Sequence, residues 1–157
     1  MLGFNPKYAI FTVMENIETA PFWETKTLEE LTPSEWEALC DGCGLCCLHR
    51  IQDEDDDTIY LTRVACHCYD IEGRACSDYA NRHARVEGCM KLTLERVEEF
   101  DWLPETCAYR LRHQGKPLPS WHPLITKNPA SVEPYGMHAL DPILENDNID
   151  LEEYVID

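Results

Sequence analysis

The 157-residue sequence has no apolar stretch approaching the roughly 20 residues that a bilayer-spanning helix needs. The segment Tyr8 to Met14 is apolar but short, and it lacks a basic leader and a small-residue cleavage site, so neither a membrane span nor export is expected. Positive charge is scarce as well. Thirteen Lys and Arg stand against thirty Asp and Glu, a formal net charge of -17. Such a surface repels phosphate backbones and anionic lipid, which excludes nucleic acid and membrane as general partners, a local patch from Arg82 to Arg85 aside. The acids concentrate in Asp53-Glu54-Asp55-Asp56-Asp57 and after Asp141, where they read as solvated surface rather than cation sites. No sustained linker and no internal repeat divides the chain, so a single domain is expected.

Cysteine is abundant. The chain has nine, an odd number that argues against a fully paired disulfide framework. With no export signal the expected location is the cytoplasm, and in a reducing compartment this density of thiols points to metal ligation or redox chemistry.

Local signals sketch a loop-rich α+β domain. Thr32-Pro33-Ser34-Glu35 is a helix start, with Thr32 capping, Pro33 in the first helical position and Glu35 completing a capping box, and the helix is expected to reach about Cys40. Gly42 and Gly44 then supply the left-handed backbone that a tight turn requires. Thr58 to Thr62, alternating Ile59 and Leu61 with more polar neighbours, predicts a short strand. Asp70 to Gly73 reads as a small turn between flanking segments. Thr93 is expected to cap a helix over Leu94 to Phe100, and a second helix should run from near Pro104 to Gly115 with Cys107 in its first turns. Pro117, Pro119, Pro123, Pro129 and Pro134 predict mostly loop, wrapped over the core by Trp121, Leu124 and Ile125. The segment from Asp141 carries seven acids and no base and reads as a mobile acidic tail anchored by Leu144, Ile149, Leu151 and Tyr154.

Cys40-Asp-Gly-Cys43-Gly-Leu-Cys46-Cys47 carries the chemistry, with four thiols in eight residues. Two-residue gaps let successive sulfurs turn inward on a common centre, and backbone N–H groups freed by the glycines can hydrogen-bond thiolate. Neighbouring Cys46 and Cys47 diverge, so they suit two centres, or one ligates while the other packs. Cys66, Cys68, Cys76, Cys89 and Cys107 offer further sulfurs, enough for two four-sulfur sites with one to spare. Three clustered cysteines plus a distant one would alternatively hold a four-iron cluster, although the spacing matches the bacterial ferredoxin run only in part. Cys68 stands evenly between ligand and small buried hydrophobe. His49, His67 and His83 lie near cysteines but read first as surface or hydrogen-bonded residues, and His113, His122 and His138 carry no spacing signal. Asp78 and Arg82, four apart, read as a salt bridge before they read as a catalytic wall with Tyr79 and Asn81.

The cysteine run, followed by Ile59-Tyr60-Leu61-Thr62, Val64-Ala65-Cys66, Cys76-Ser-Asp-Tyr79, Cys89-Met-Lys-Leu92 and Phe100-Asp-Trp-Leu-Pro104 with Thr106-Cys107-Ala-Tyr-Arg110, resembles the YkgJ/YcgN-type cysteine-cluster proteins, a family described as chelating zinc or iron. The resemblance spans about Pro21 to Leu124 and implies eight metal ligands, Cys40, Cys43, Cys46, Cys47, Cys66, Cys76, Cys89 and Cys107. It leaves Cys68 out. It also implies that residues 1–13 precede the usual start, with Met14 the alternative first residue. The expected organisation is a flexible N-terminal extension over 1–20, a cysteine-cluster domain over 21–140 and an acidic tail over 141–157. The expected cofactor is zinc or iron, with an iron–sulfur cluster as the alternative. The implied partner is a metal ion, and no catalytic residue is assigned.

Overall fold

A computed structural model of the chain describes residues 20–156, so the expectation for the N-terminal extension lies outside the described residues apart from Ala20. Among the described residues, five short helices are joined by 3-10 turns: α1 (Phe22–Thr25), α2 (Pro33–Ala38), α3 (Arg82–Arg85), α4 (Ala108–His113) and α5 (Pro123–Thr126). Strands β1 (Leu48–Gln52), β2 (Ile59–Ala65) and β5 (Ile143–Leu144) form one sheet in the order β1-β2-β5, and β3 (Tyr69–Asp70) pairs with β4 (Ala75–Cys76) in a small hairpin. The architecture is the expected mixed α+β, loop-rich one.

The capping box forms as read. The Glu35 N–H donates to Thr32 Oγ1 at 3.2 Å, and the Thr32 N–H donates to Glu35 Oε2 at 2.9 Å. The helix stops at Ala38, slightly short of Cys40, whose N–H still reaches Glu37 O at 3.3 Å. The strand at Ile59 is longer than expected, and burial grows along it. Ile59 and Tyr60 at the hairpin end are exposed, Leu61 is partly buried against the core, and Thr62, Val64 and Ala65 are fully buried. The acidic run is the β1–β2 turn. Asp53 and Asp56 carboxylates accept from the N–H groups of Asp55 and Thr58, and the Asp53 N–H closes on Thr58 O at 2.8 Å.

Two expectations fail locally. Leu94–Trp102 is a 3-10 stretch kinked at Arg96 (φ -112, ψ 16) with no side-chain cap from Thr93, and the helix carrying Cys107 begins only after it, Cys107 standing at its cap position. The expected mobile tail is instead built into the sheet. β5 runs parallel to β2, the Glu145 N–H donates to Ala65 O at 2.9 Å, and Val155 bridges to Thr62. Apolar Ile143 and Leu144 outweigh their acidic neighbours because β2 leaves an edge open to pair with.

Two apolar clusters make the core. One gathers Leu28, Leu39, Phe100, Leu103, Ala108, Tyr109 and Leu118, and the other Leu45, Leu48, Ala65, Tyr69 and Met137. Leu39 ends in the first and Leu45 in the second. The cysteine turn between them therefore spans the seam, with Cys107 packed against one cluster and Cys43 and Cys47 against the other.

Candidate metal centre

The seam explains how the turn is held. Gly42 and Gly44 have φ of +75° and +73°, left-handed values that β-carbon-bearing residues resist, and this reverses the chain twice between Cys40 and Cys46. At Gly44 there is also no room, since a Cβ would lie 2.8 Å from Tyr69 Oη. A remote segment clamps the same turn: the Met137 N–H donates to Cys43 O at 2.7 Å, and Gly136 lies so close that its Cβ would stand 2.8 Å from that oxygen. Beyond the turn, the Cys66 N–H donates to Cys47 O at 2.9 Å, tying the end of β2 to the cluster.

Backbone donors face the sulfurs as the glycine spacing suggests. The Gly42 N–H serves Cys40, Leu45 serves Cys43, and Tyr109 and Arg110 at the start of α4 serve Cys107. Burial nevertheless dominates. It pushes the Cys40 thiol up to about 11 and Cys107 to about 12, and Cys43 higher still. Cys46 and Cys47 form a contacting pair in which the Cys47 thiol donates to the Cys46 sulfur. That donation, helped by the nearby Arg50 guanidinium, draws Cys46 below the usual thiol range, and the same donation with burial holds Cys47 far above it.

The thiols also act on one another through charge. Cys46 acts on Cys40, Cys43, Cys107 and Cys89, while Cys47 feels Cys66 and Cys76. Cys89 in turn feels Cys76 and Cys68. Thiols from separate segments thus lie within electrostatic reach of the Cys46–Cys47 pair, and such soft donors fit zinc or iron. They do not close to one tight donor set. Among the described residues, the three metal-binding side chains whose ligand atoms lie within 4.8 Å of one another are Cys66, His67 and Cys68.

Five residues beyond the cysteines surround the site, and for three of them, Arg50, His122 and Glu145, the sequence reading assigned no such place. Arg50, on β1, is half-buried with its guanidinium toward Cys46, Cys43, Cys107 and Cys47, and its Nη2 donates to Leu45 O at 3.2 Å. A basic residue three positions after Cys47 is the signal that could have flagged it. His122 is fully buried: its Nδ1 accepts from the Leu124 N–H at 3.1 Å, so Nε2 carries the hydrogen and donates to Leu39 O at 3.0 Å, immediately before Cys40. His49 and His67 converge on Glu145, with His49 Nε2 2.6 Å from one carboxylate oxygen and His67 Nδ1 2.6 Å from the other. Burial opposes the charge on Glu145, yet the N–H and ring of His67 together hold its carboxyl below the usual range. The expected Asp78–Arg82 pair does not form. Asp78 binds Arg85 at 3.0 Å and Asn81 at 2.8 Å, because Arg82 turns back over the Tyr79 ring, 3.7 Å from its centroid. That arrangement is an exposed ion-pair network.

Residues 39–108 match a family described as "Putative zinc- or iron-chelating domain", CxxCxxCC. A UPF0260 protein of Vibrio atlanticus (strain LGP32) is 48% identical over 139 residues, covering 88% of this chain and 96% of its own length. A UPF0260 protein of Pseudomonas putida (strain GB-1) is 57% identical over 108 residues, 69% of this chain and 72% of that one. No solved structure matches. No helix among the described residues is long and apolar enough to cross a membrane.

Proposed function

Because this chain belongs to the UPF0260 family and carries the zinc- or iron-chelating domain, we propose that it is a metal-binding protein whose ligands are drawn from Cys40, Cys43, Cys46, Cys47, Cys66, Cys76, Cys89 and Cys107. The observation that supports this reading is the Cys46–Cys47 pair, whose sulfurs couple in charge to Cys40 and Cys43 in the same turn and to thiols from four other stretches of chain. The two sulfurs touch each other yet face different thiols, so Cys46 serves a centre with Cys40, Cys43 and Cys107, and Cys47 serves an adjoining one with Cys66 and Cys76, Cys89 coupling to Cys46 and Cys76 alike. Binding draws in thiols that are neutral when metal-free, releases their protons, and adds its free energy to folding. A reducing, cytoplasmic setting follows from the need to keep the thiols free. No reaction is assigned.

Elemental analysis with an absorbance spectrum on anaerobically purified protein tests this. A fixed metal-to-chain ratio is expected. A colourless preparation with zinc supports a structural or metal-handling role, and a brown one with iron and sulfide supports the iron–sulfur reading, in which the N–H groups facing the sulfurs set the potential. Folded, metal-free protein with all nine thiols reduced overturns both.

A further inference from the structure

We propose that Cys66, His67 and Cys68 form an additional metal site that takes a zinc-type divalent ion through two sulfurs and one imidazole nitrogen. Two of these three, His67 and Cys68, stand outside the eight-cysteine set, and Cys66 is the ligand shared with it. Their donor atoms already lie within 4.8 Å of one another, against about 3.8 Å between sulfurs around a tetrahedral ion with 2.3 Å bonds. Small side-chain rotations close that difference.

Three consecutive residues rarely converge, but here the backbone makes them do so. Where β2 ends the chain folds into a turn, with the Tyr69 N–H donating to Cys66 O at 2.9 Å. Cys68 is fixed from the far side, its carbonyl accepting from the Ser77 N–H at 2.7 Å and from Ser77 Oγ at 2.8 Å. Burial of Cys68 against Cys66 also distinguishes it from an isolated apolar filler.

Glu145 completes the arrangement as a positioning residue. Its Oε1 accepts from the His67 N–H at 2.8 Å and stands 2.6 Å from His67 Nδ1. A carboxylate on one ring nitrogen fixes the tautomer and leaves Nε2 as the nitrogen for an ion, the pattern found behind many zinc-bound histidines. β5 holds Glu145 in place, and so the acidic C-terminal segment becomes part of the site. A set of two sulfurs and one nitrogen favours zinc over calcium or magnesium, and three protein ligands leave a fourth tetrahedral position for water.

The test uses the full chain, purified anaerobically and reconstituted with zinc, or with cobalt for its visible ligand-field bands. Parent, His67→Gln and Cys68→Ser are compared for metal per chain. Each variant is expected to lose one equivalent and keep the rest, with the cobalt bands of a mixed sulfur–nitrogen site disappearing from the spectrum. Unchanged stoichiometry and spectrum in His67→Gln overturn the proposal while leaving the eight-cysteine reading intact. A parent that binds no metal ends both. Should Cys68→Ser fail to fold, because Cys68 is buried, His67→Gln decides alone, since the His67 side chain is half-exposed and its loss leaves the core untouched.

Discussion

Gly136 acts on the metal loop through the side chain it lacks. Its Cβ would meet Cys43 O at 2.8 Å and Cys43 Cα at 3.3 Å, and these are backbone atoms that no rotamer change can move aside. Gly136→Ala is therefore expected to displace Cys43, weaken the Met137–Cys43 hydrogen bond and destabilise the protein by about 1–3 kcal/mol, the usual cost of overpacking. Gly88→Ala, with open space around it, is the control that should change nothing. Thermal denaturation with metal content on the same samples checks both. Gly42 and Gly44 were legible because they lie between cysteines at turn spacing. Gly136 was not, because its constraint comes from a contact between segments far apart in sequence.

The thiols set an expectation for pH. Burial raises Cys40 to about 11 and Cys107 to about 12 from an ordinary value of 9.0. The unfolded chain then releases these protons first. The stability they contribute to the metal-free protein is complete below about pH 9 and is lost as pH rises through 11 to 12. Metal-loaded protein should behave oppositely and weaken in acid, where protons compete for sulfur. Denaturation midpoints of chelated, reduced protein at pH 8 and pH 10.5 measure the first effect, and a higher midpoint at the higher pH contradicts it.

Among the elements, those with local signals were readable and those made by pairing were not. The capping box, the Gly42–Gly44 turn and the hairpin turn at Asp70 to Gly73 depend on residues within a few positions of one another, and all form. β1 and β5 depend on β2. β5 in particular is two apolar residues within an acidic stretch, and only the open edge of β2 gives them a partner. The burial of Thr62 was not legible for the same reason: pairing with β1, rather than alternation alone, places it inside, where its hydroxyl donates to His49 O at 2.8 Å. His122 links α5 to the end of α2, and His122→Ala removes one buried and one part-buried hydrogen bond and leaves a cavity beside Leu39. A loss of about 2–4 kcal/mol is expected in denaturant unfolding, together with a lower metal content because Cys40 follows Leu39 directly. A loss below about 0.5 kcal/mol would show that the clamp is dispensable.

At the scale of the whole molecule, two small apolar clusters are joined by the cysteine turn, and the helices and strands around them are short. The sequence pointed to thiols as the organising groups, and Cys43, Cys47 and Cys107 pack against the two clusters. It did not show that Cys68 and His67 would join Cys66, since Cys68 has no turn spacing from the main run and the partner that holds His67, Glu145, comes from the far end of the chain. Removing metal with a chelator under reducing conditions should therefore loosen the seam first. The expected result is a lower melting temperature, with recovery on adding metal back.

X-ray absorption at the edge of the metal bound by the anaerobically purified chain tests the central claim most directly. A first shell dominated by sulfur, at about 2.3 Å for zinc, is predicted, with a minor nitrogen contribution from His67. A shell of oxygen and nitrogen alone would contradict it.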